Sequence, residues 1–271
     1  MVIPATLARV GGACQHGSMC GRFAVDDSVD ELVKAFVADG GDWEQALTAL
    51  PNPNIRPTDT IAVLLESLKG LDAPASASAS AGSAGPTGPG GAPRSARRVL
   101  APARWSLVPS WSRTVKTSGP TFNARLETLG EKSMWRSPLA KRRCVIPASA
   151  YYEWRGERGA KTPFSIGDPD GRRMTIAGLA QWWRPSESAP WLLTATIITQ
   201  PAVGELAEIH DRMPLVLPES LVDEWIDATR VGDQSFADDI AAASAGMARS
   251  LRATEVESVP PVSSVPPVAI D

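Results

Sequence analysis

The stretch from Arg97 to Thr199 limits the possible folds of this chain more than any other. It carries six short runs, RRVLAPARW, RCVIPAS, YYEW, TPFSIG, RMTIAGLAQWW and WLLTATIIT, each of strand length and rich in apolar, β-branched or aromatic residues. Parallel neighbours need long crossovers, usually helical, and long crossover helices between these runs are missing. The expected fold is α+β: a single domain of mainly antiparallel β-sheets with flanking short helices. CGRFAV and TIAVLLES read as further strands, and Asp170-Gly171 as a hairpin turn between two of the runs. Helices are expected over SVDELVKAFVA, where Ser28 and Glu31 have capping-box spacing, over WEQALTAL, and near 131–141, 203–209 and 219–229.

The chain has 271 residues, 43% of them hydrophobic, enough for one substantial core. Residues 72–95, DAPASASASAGSAGPTGPGGAPRS, hold nothing to bury and read as a disordered insertion, because strand-like sequence resumes on both sides. The domain is expected over 19–230. A leader over 1–18 precedes it, and a partly disordered C-terminal extension over 231–271 ends in the mobile tail VPPVSSVPPVAID. The leader has one Arg, an early Pro and no continuous apolar stretch, which makes a poor signal peptide. No run approaches the roughly 20 apolar residues of a membrane span.

Cys14, Cys20 and Cys144 are an odd set without C-x-x-C spacing, which points to a reducing cytoplasm rather than a disulfide framework. With only His16 and His210, a zinc site is hard to assemble, and neither metal nor cofactor is expected. The net charge of −3 hides an asymmetry: residues 94–184 hold 18 Lys+Arg against 6 Asp+Glu, the remainder 9 against 24. Seven of the nine tryptophans lie between Trp105 and Trp191, largely in that basic segment. Cations that track phosphates and rings that stack on bases suit a single-stranded nucleic acid. A solvated basic face beside a Trp-rich core accounts for the composition equally well.

Four stretches place polar residues among apolar neighbours: MCGRF at 19–23, FNARLET at 122–128, YYEW at 151–154 and IHDRMPLVL at 209–217. If Met19 is the working start or a processing point, Cys20 carries a free α-amine, ordinarily near pKa 7.7–8.0, beside a thiol near 8.5. An aldehyde forms an imine with such an amine, and the neighbouring sulfur closes a five-membered thiazolidine. The alternative is an ordinary buried cysteine. Glu153, between Tyr152 and Trp154, is either a desolvated general acid/base or a strand residue turned to solvent. His210 is either a proton carrier near neutrality or a structural hydrogen-bonding residue. Asn123 and Arg125 share a face if they lie in a strand, offering an amide to orient a reactant and a guanidinium to hold phosphate; Arg212 stands in the same relation to His210. Each arginine equally suits a surface ion pair.

Together these stretches resemble the SOS response-associated peptidase family, whose members process abasic sites in DNA. The resemblance rests on MCGRFA, NIRPT, RWSLVPSW, FNARLETL, RRCVIPASAYYEW and IHDRMPLVL, six motifs in the family's order over about residues 19–225. It implies a compact α+β domain whose sheets line a basic cleft, with Cys20 as the mature first residue. It also implies that the ring-opened aldehyde of an abasic site in single-stranded DNA is trapped as a thiazolidine. By resemblance, Asn123 orients the reacting amine and Glu153 acts as acid/base. His210 assists the imine stage and related strand cleavage. Arg125 and Arg212 look like phosphate holders, with Arg22 and Thr199 as further DNA contacts, and Trp105 or Trp111 stacks beside the lesion. The peptidase label would describe removal of whatever precedes the cysteine. A monomer is expected.

Ser106 stands where the family usually has Gly, and Ala150-Tyr151 where Gly-Phe is typical. The 18-residue leader is the larger departure: either translation starts at Met19 or the leader is a self-cleaved propeptide. Two other classes compete with this reading. One is a peptidase or amidohydrolase acting in trans through N-terminal Cys20, and the other a non-covalent reader of single-stranded lesions.

Overall fold

The computed structural model describes residues 20–36, 50–67, 97–157 and 159–262. Its centre is a closed sheet of β3 (Thr60–Ser67), β4 (Arg97–Trp105), β6 (Arg143–Ala148), β9 (Met174–Trp183) and β10 (Leu192–Pro201). Antiparallel pairings run β4–β3–β6–β9–β10, and a parallel pairing of β10 with β4 completes the ring. Most residues of these strands are buried, including Ile61–Leu65 and Leu193–Thr199, which is why they read as continuous apolar runs rather than alternating ones. Three short strands extend the ring. β5 (Asn123–Arg125) lies parallel to β10, β11 (Arg212–Pro214) antiparallel to it, and β12 (Val216–Leu217) antiparallel to β9.

A second, wholly antiparallel sheet has the order β13 (Arg252–Glu255), β8 (Thr162–Gly167), β7 (Ala150–Arg155), β1 (Phe23–Val25), β2 (Asn52–Ile55). One residue, Ser149, carries the chain from β6 into β7. Its N–H donates to Ala24 O at 2.8 Å and its hydroxyl accepts from Asp26 N–H at 2.8 Å, which fixes β7 against β1. Trp105 pins the two sheets together. It meets Phe23 edge-on at 5.0 Å and Phe122 at 5.8 Å, and its indole N–H donates to Phe122 O at 2.8 Å.

The helices pack at the rim. α1 (Val29–Phe36) starts in the expected capping box, with the Ser28 N–H and hydroxyl each donating to Glu31 Oε2 at 2.7 Å. α2 (Ser133–Lys141) matches its expectation, a 3-10 helix covers Gly204–Glu208, and α3 (Glu219–Ile226) stops three residues early. WEQALTAL falls almost entirely outside the described residues, as do the leader and the 72–95 insertion. CGRFAV contributes only Phe23–Val25 as strand.

One expectation needs correction. The turn at Asp170-Gly171 exists, with Gly171 N–H on Asp168 O at 3.0 Å and Gly171 at φ 72°, but it joins no hairpin. β8 before it belongs to the smaller sheet and β9 after it to the ring. Beyond residue 230 the chain continues in regular elements. α4 (Gln234–Ala243) and α5 (Ala245–Ser250) bury Phe236 and Ile240, Phe236 stacks on Trp225 at 5.8 Å, and β13 completes the smaller sheet. The start of the Pro-rich tail is held as well: Val256 N–H donates to Pro163 O at 3.1 Å and the Asn54 amide donates to Pro260 O.

Candidate active site

The site forms where the small sheet meets the ring. Phe23 pairs with Tyr151, and Tyr152 N–H donates to Arg22 O at 2.9 Å, so the β1–β7 ladder runs back towards Cys20. Cys20 is 2% exposed and has φ 35°, in the left-handed region that costs a non-glycine residue about 1–3 kcal/mol. Three distant stretches converge on it. Its N–H donates to Glu153 Oε1 at 2.5 Å, its carbonyl accepts from Asn123 Nδ2 at 3.5 Å, and its thiol lies 4.0 Å from Arg212 O.

Glu153 is 3% exposed, which removes the solvent-facing reading. It lies two residues beyond buried Tyr151 on β7, hence on the same strand face, and only Arg155 at the strand end is exposed. Burial pushes the Glu153 carboxyl above its usual range, while nearby His210 and the Cys20 bonds pull it part of the way back. Burial also drives the Cys20 thiol well above its usual value, and the charge of Glu153 adds to the rise. The sulfur therefore rests as a neutral thiol beside a carboxyl that can take its proton.

His210 follows the 3-10 helix, and its Nδ1 accepts the Arg212 N–H at 3.0 Å. Asp211 Oδ1 also lies 3.0 Å from Nδ1, a contact that requires a proton on that nitrogen. A nitrogen that accepts the fixed backbone N–H has no proton for Asp211, whose side chain is 76% exposed; we assign the neutral ring's proton to Nε2.

Several expected DNA contacts have other roles. Trp105 is fully buried in the pin described above and cannot stack on a base. Thr199 is fully buried, with its hydroxyl on Ala124 O at 3.4 Å and its carbonyl accepting from Arg212 Nη2 at 2.6 Å. The Arg212 guanidinium is buried and already forked onto Glu127, at 2.5 Å to Oε1 and 2.9 Å to Oε2, so it is not a free phosphate holder. Burial alone would raise the Glu127 carboxyl, but the Arg212 bond and charge outweigh it and hold the carboxyl below its usual range.

Arg22 is half-buried, 3.4 Å from Asn54 Oδ1 and 5.7 Å over the Trp154 ring. Arg125 is exposed at the end of β5, and Trp111 is 70% exposed in a loop that also exposes Arg113 and Lys116. Among the seven clustered tryptophans, Trp111 alone is exposed, so most of that signal reports the core.

The sequence reading passed over Glu127 and Asn54, although both lie in stretches it singled out, FNARLET and NIRPT. Glu127 continues the two-residue spacing of Asn123 and Arg125, and that was the available signal. Among the described residues no group of three or more His, Cys, Asp or Glu is arranged to hold a metal ion.

The family described as SOS response associated peptidase (SRAP) matches residues 19–260. The abasic site processing protein YoqW of Bacillus subtilis is 30% identical over 213 residues, covering 77% of this chain and 80% of that protein. The abasic site processing protein HMCES of Gallus gallus is 34% identical over 160 residues, 51% of this chain and 48% of its own. A crystal structure of a Bacteroides thetaiotaomicron protein shares the fold with a TM-score of 0.66 at 17% identity, covering 88% of this chain and 92% of that one.

Proposed function

Because the chain belongs to the SOS response associated peptidase family, we propose that it processes abasic sites by capturing their ring-opened aldehyde in single-stranded DNA, with Cys20 as the mature first residue. The relatives named abasic site processing proteins support the class of activity. One observation carries the chemistry: the buried carboxylate of Glu153 addresses the nitrogen of Cys20, at 2.5 Å, and not its sulfur alone. That nitrogen is an amide while Met19 precedes it. Cutting the Met19–Cys20 bond, or starting at Met19 and losing it, leaves an amine in the same place.

Glu153 takes a proton from the ammonium, and the freed amine adds to the aldehyde carbon. One N–H proton shifts to the oxygen, and Glu153 protonates the hydroxyl so formed, which leaves as one water and gives a protonated imine whose N–H proton returns to Glu153. The Cys20 sulfur then adds to the same carbon, its proton passing through Glu153 to the nitrogen, and the thiazolidine ring closes. No redox partner is needed, and one water is lost overall. The 3.5 Å contact of Asn123 with the Cys20 carbonyl orients the amine, and His210 supports the proton transfers. Exposed Arg125 and Trp111 are the DNA contacts that this geometry favours.

The test is to mix protein started at Met19 with uracil-excised single-stranded DNA and run a denaturing gel. A shifted band that Cys20→Ala abolishes supports the proposal. Peptide cleavage in trans that depends on Cys20 and is indifferent to DNA would favour a peptidase. Binding that never becomes covalent would favour a lesion reader.

A further inference from the structure

We infer that Glu127 is a positioning residue, whose carboxylate anchors the Arg212 side chain so that the Arg212 backbone sets both the His210 ring and the Cys20 thiol. The inference deepens, and for its kinetic arm rests on, the capture chemistry proposed above.

A guanidinium is costly to bury unless paired and hydrogen-bonded. The Arg212 side chain is 9% exposed, and Glu127, 46% exposed, reaches in from the surface to supply both oxygens of a fork. Thr199 O on β10 takes a third bond at 2.6 Å. The side chain of Arg212 is thereby locked to two elements, β10 and the 3-10 turn Leu126–Thr128 that directly follows β5. Its main chain makes other contacts. Arg212 N–H donates to His210 Nδ1, and Arg212 O lies 4.0 Å from the Cys20 sulfur. One residue therefore has its side chain held by Glu127 and its backbone applied to two reacting groups.

Glu127 bonds to neither Cys20 nor Glu153, so its effect travels through Arg212. Because β5, which begins at Asn123, runs directly into the 3-10 turn that carries Glu127, the clamp also ties the Asn123 strand to the start of β11 at Arg212. A loss of the clamp releases the start of β11, and the reacting geometry loosens without removal of any reacting atom.

The experiment uses Glu127→Gln and Glu127→Asp in protein started at Met19. In DNA-free protein, the nitrogen-15 signals of the His210 ring should show the Nε2–H form in the parent. Glu127→Gln should shift them towards a mixture of the two neutral forms. With abasic single-stranded DNA, the saturating crosslinking rate should fall roughly 10- to 100-fold in Glu127→Gln, with the half-saturating DNA concentration changed less than about 3-fold. Glu127→Asp, which keeps the charge on a shorter arm, should fall between.

In an Arg212→Lys background, Glu127→Gln should add little further loss. Unchanged His210 signals together with an unchanged saturating rate would overturn the inference, as would a change in DNA affinity alone. If Glu127→Gln does not fold by circular dichroism, Glu127→Asp carries the same outcomes. If the parent forms no crosslink, the capture chemistry fails, and the His210 spectra still decide whether the clamp exists.

Discussion

Trp105→Ala should cost this protein its stability rather than a specific hold on DNA. The indole is fully buried, meets Phe23 and Phe122 edge-on, and donates to Phe122 O. Truncation of a core tryptophan costs about 3–5 kcal/mol, the spread set by how far the cavity collapses. Collapse is hindered here because the ring wedges β4 against both β1 and the segment entering β5. Phe122 O is not orphaned, since Ile197 N–H still donates to it at 2.9 Å, so no unsatisfied-carbonyl cost is added. At about 2–4 °C per kcal/mol for a domain of this size, the melting temperature should drop by roughly 6–20 °C. Phe23 lies three residues from Cys20 and Phe122 adjoins Asn123, so reactivity should fall together with stability. Urea unfolding followed by circular dichroism, beside anisotropy of labelled single-stranded DNA under conditions where both proteins are folded, separates the effects. A variant that melts within about 2 °C of the parent yet loses DNA binding would return Trp105 to the role of base-stacking residue and refute the packing argument.

Trp111→Ala is expected to do the opposite, weakening single-stranded DNA binding by the about 1–3 kcal/mol of one lost base stack, with melting unchanged; unaltered affinity would remove Trp111 from the interface. Arg143, 2% exposed, donates to the carbonyls of Trp225, Leu139, Ala140, Asp227 and Arg230, and Arg143→Met should destabilise by about 3 kcal/mol or more in chemical denaturation. Glu153 holds its proton more tightly folded than unfolded, so its contribution to stability is present at low pH. It is lost as pH rises from the ordinary carboxylate range through the raised value. Glu153→Gln should flatten that part of the melting-temperature profile and melt no lower than the parent at neutral pH, while crosslinking slows by about 100-fold or more. A parallel pair of melting profiles would contradict the assignment.

The ring strands were legible because a strand covered on both faces must be apolar throughout, as in TIAVLLES and WLLTATIIT. Closure of the ring was not legible: the parallel pairing of β10 with β4 and β5 depends on which edges meet, and no local spacing encodes that. The turn at Asp170-Gly171 misled for a similar reason, since the same turn chemistry serves a hairpin or a step between sheets. At the site, the residue types of Cys20, Asn123, Glu153 and His210 could be picked from motifs, and the fold brings their stretches together. The functions of Trp105, Thr199 and Arg212 could not, because an arginine on a strand looks the same in sequence whether it meets a phosphate or a carboxylate. The clustered tryptophans and cations suggested one surface, whereas burial sends most of the rings inward.

The intact mass of the covalent product, purified after parent protein meets abasic single-stranded DNA, decides whether Cys20 reacts as the first residue. The expected value is the mass of a chain beginning at Cys20 plus that of the abasic strand, less one water. An adduct that still carries Met19 or earlier residues, or one that forms equally with Cys20→Ala, would contradict it.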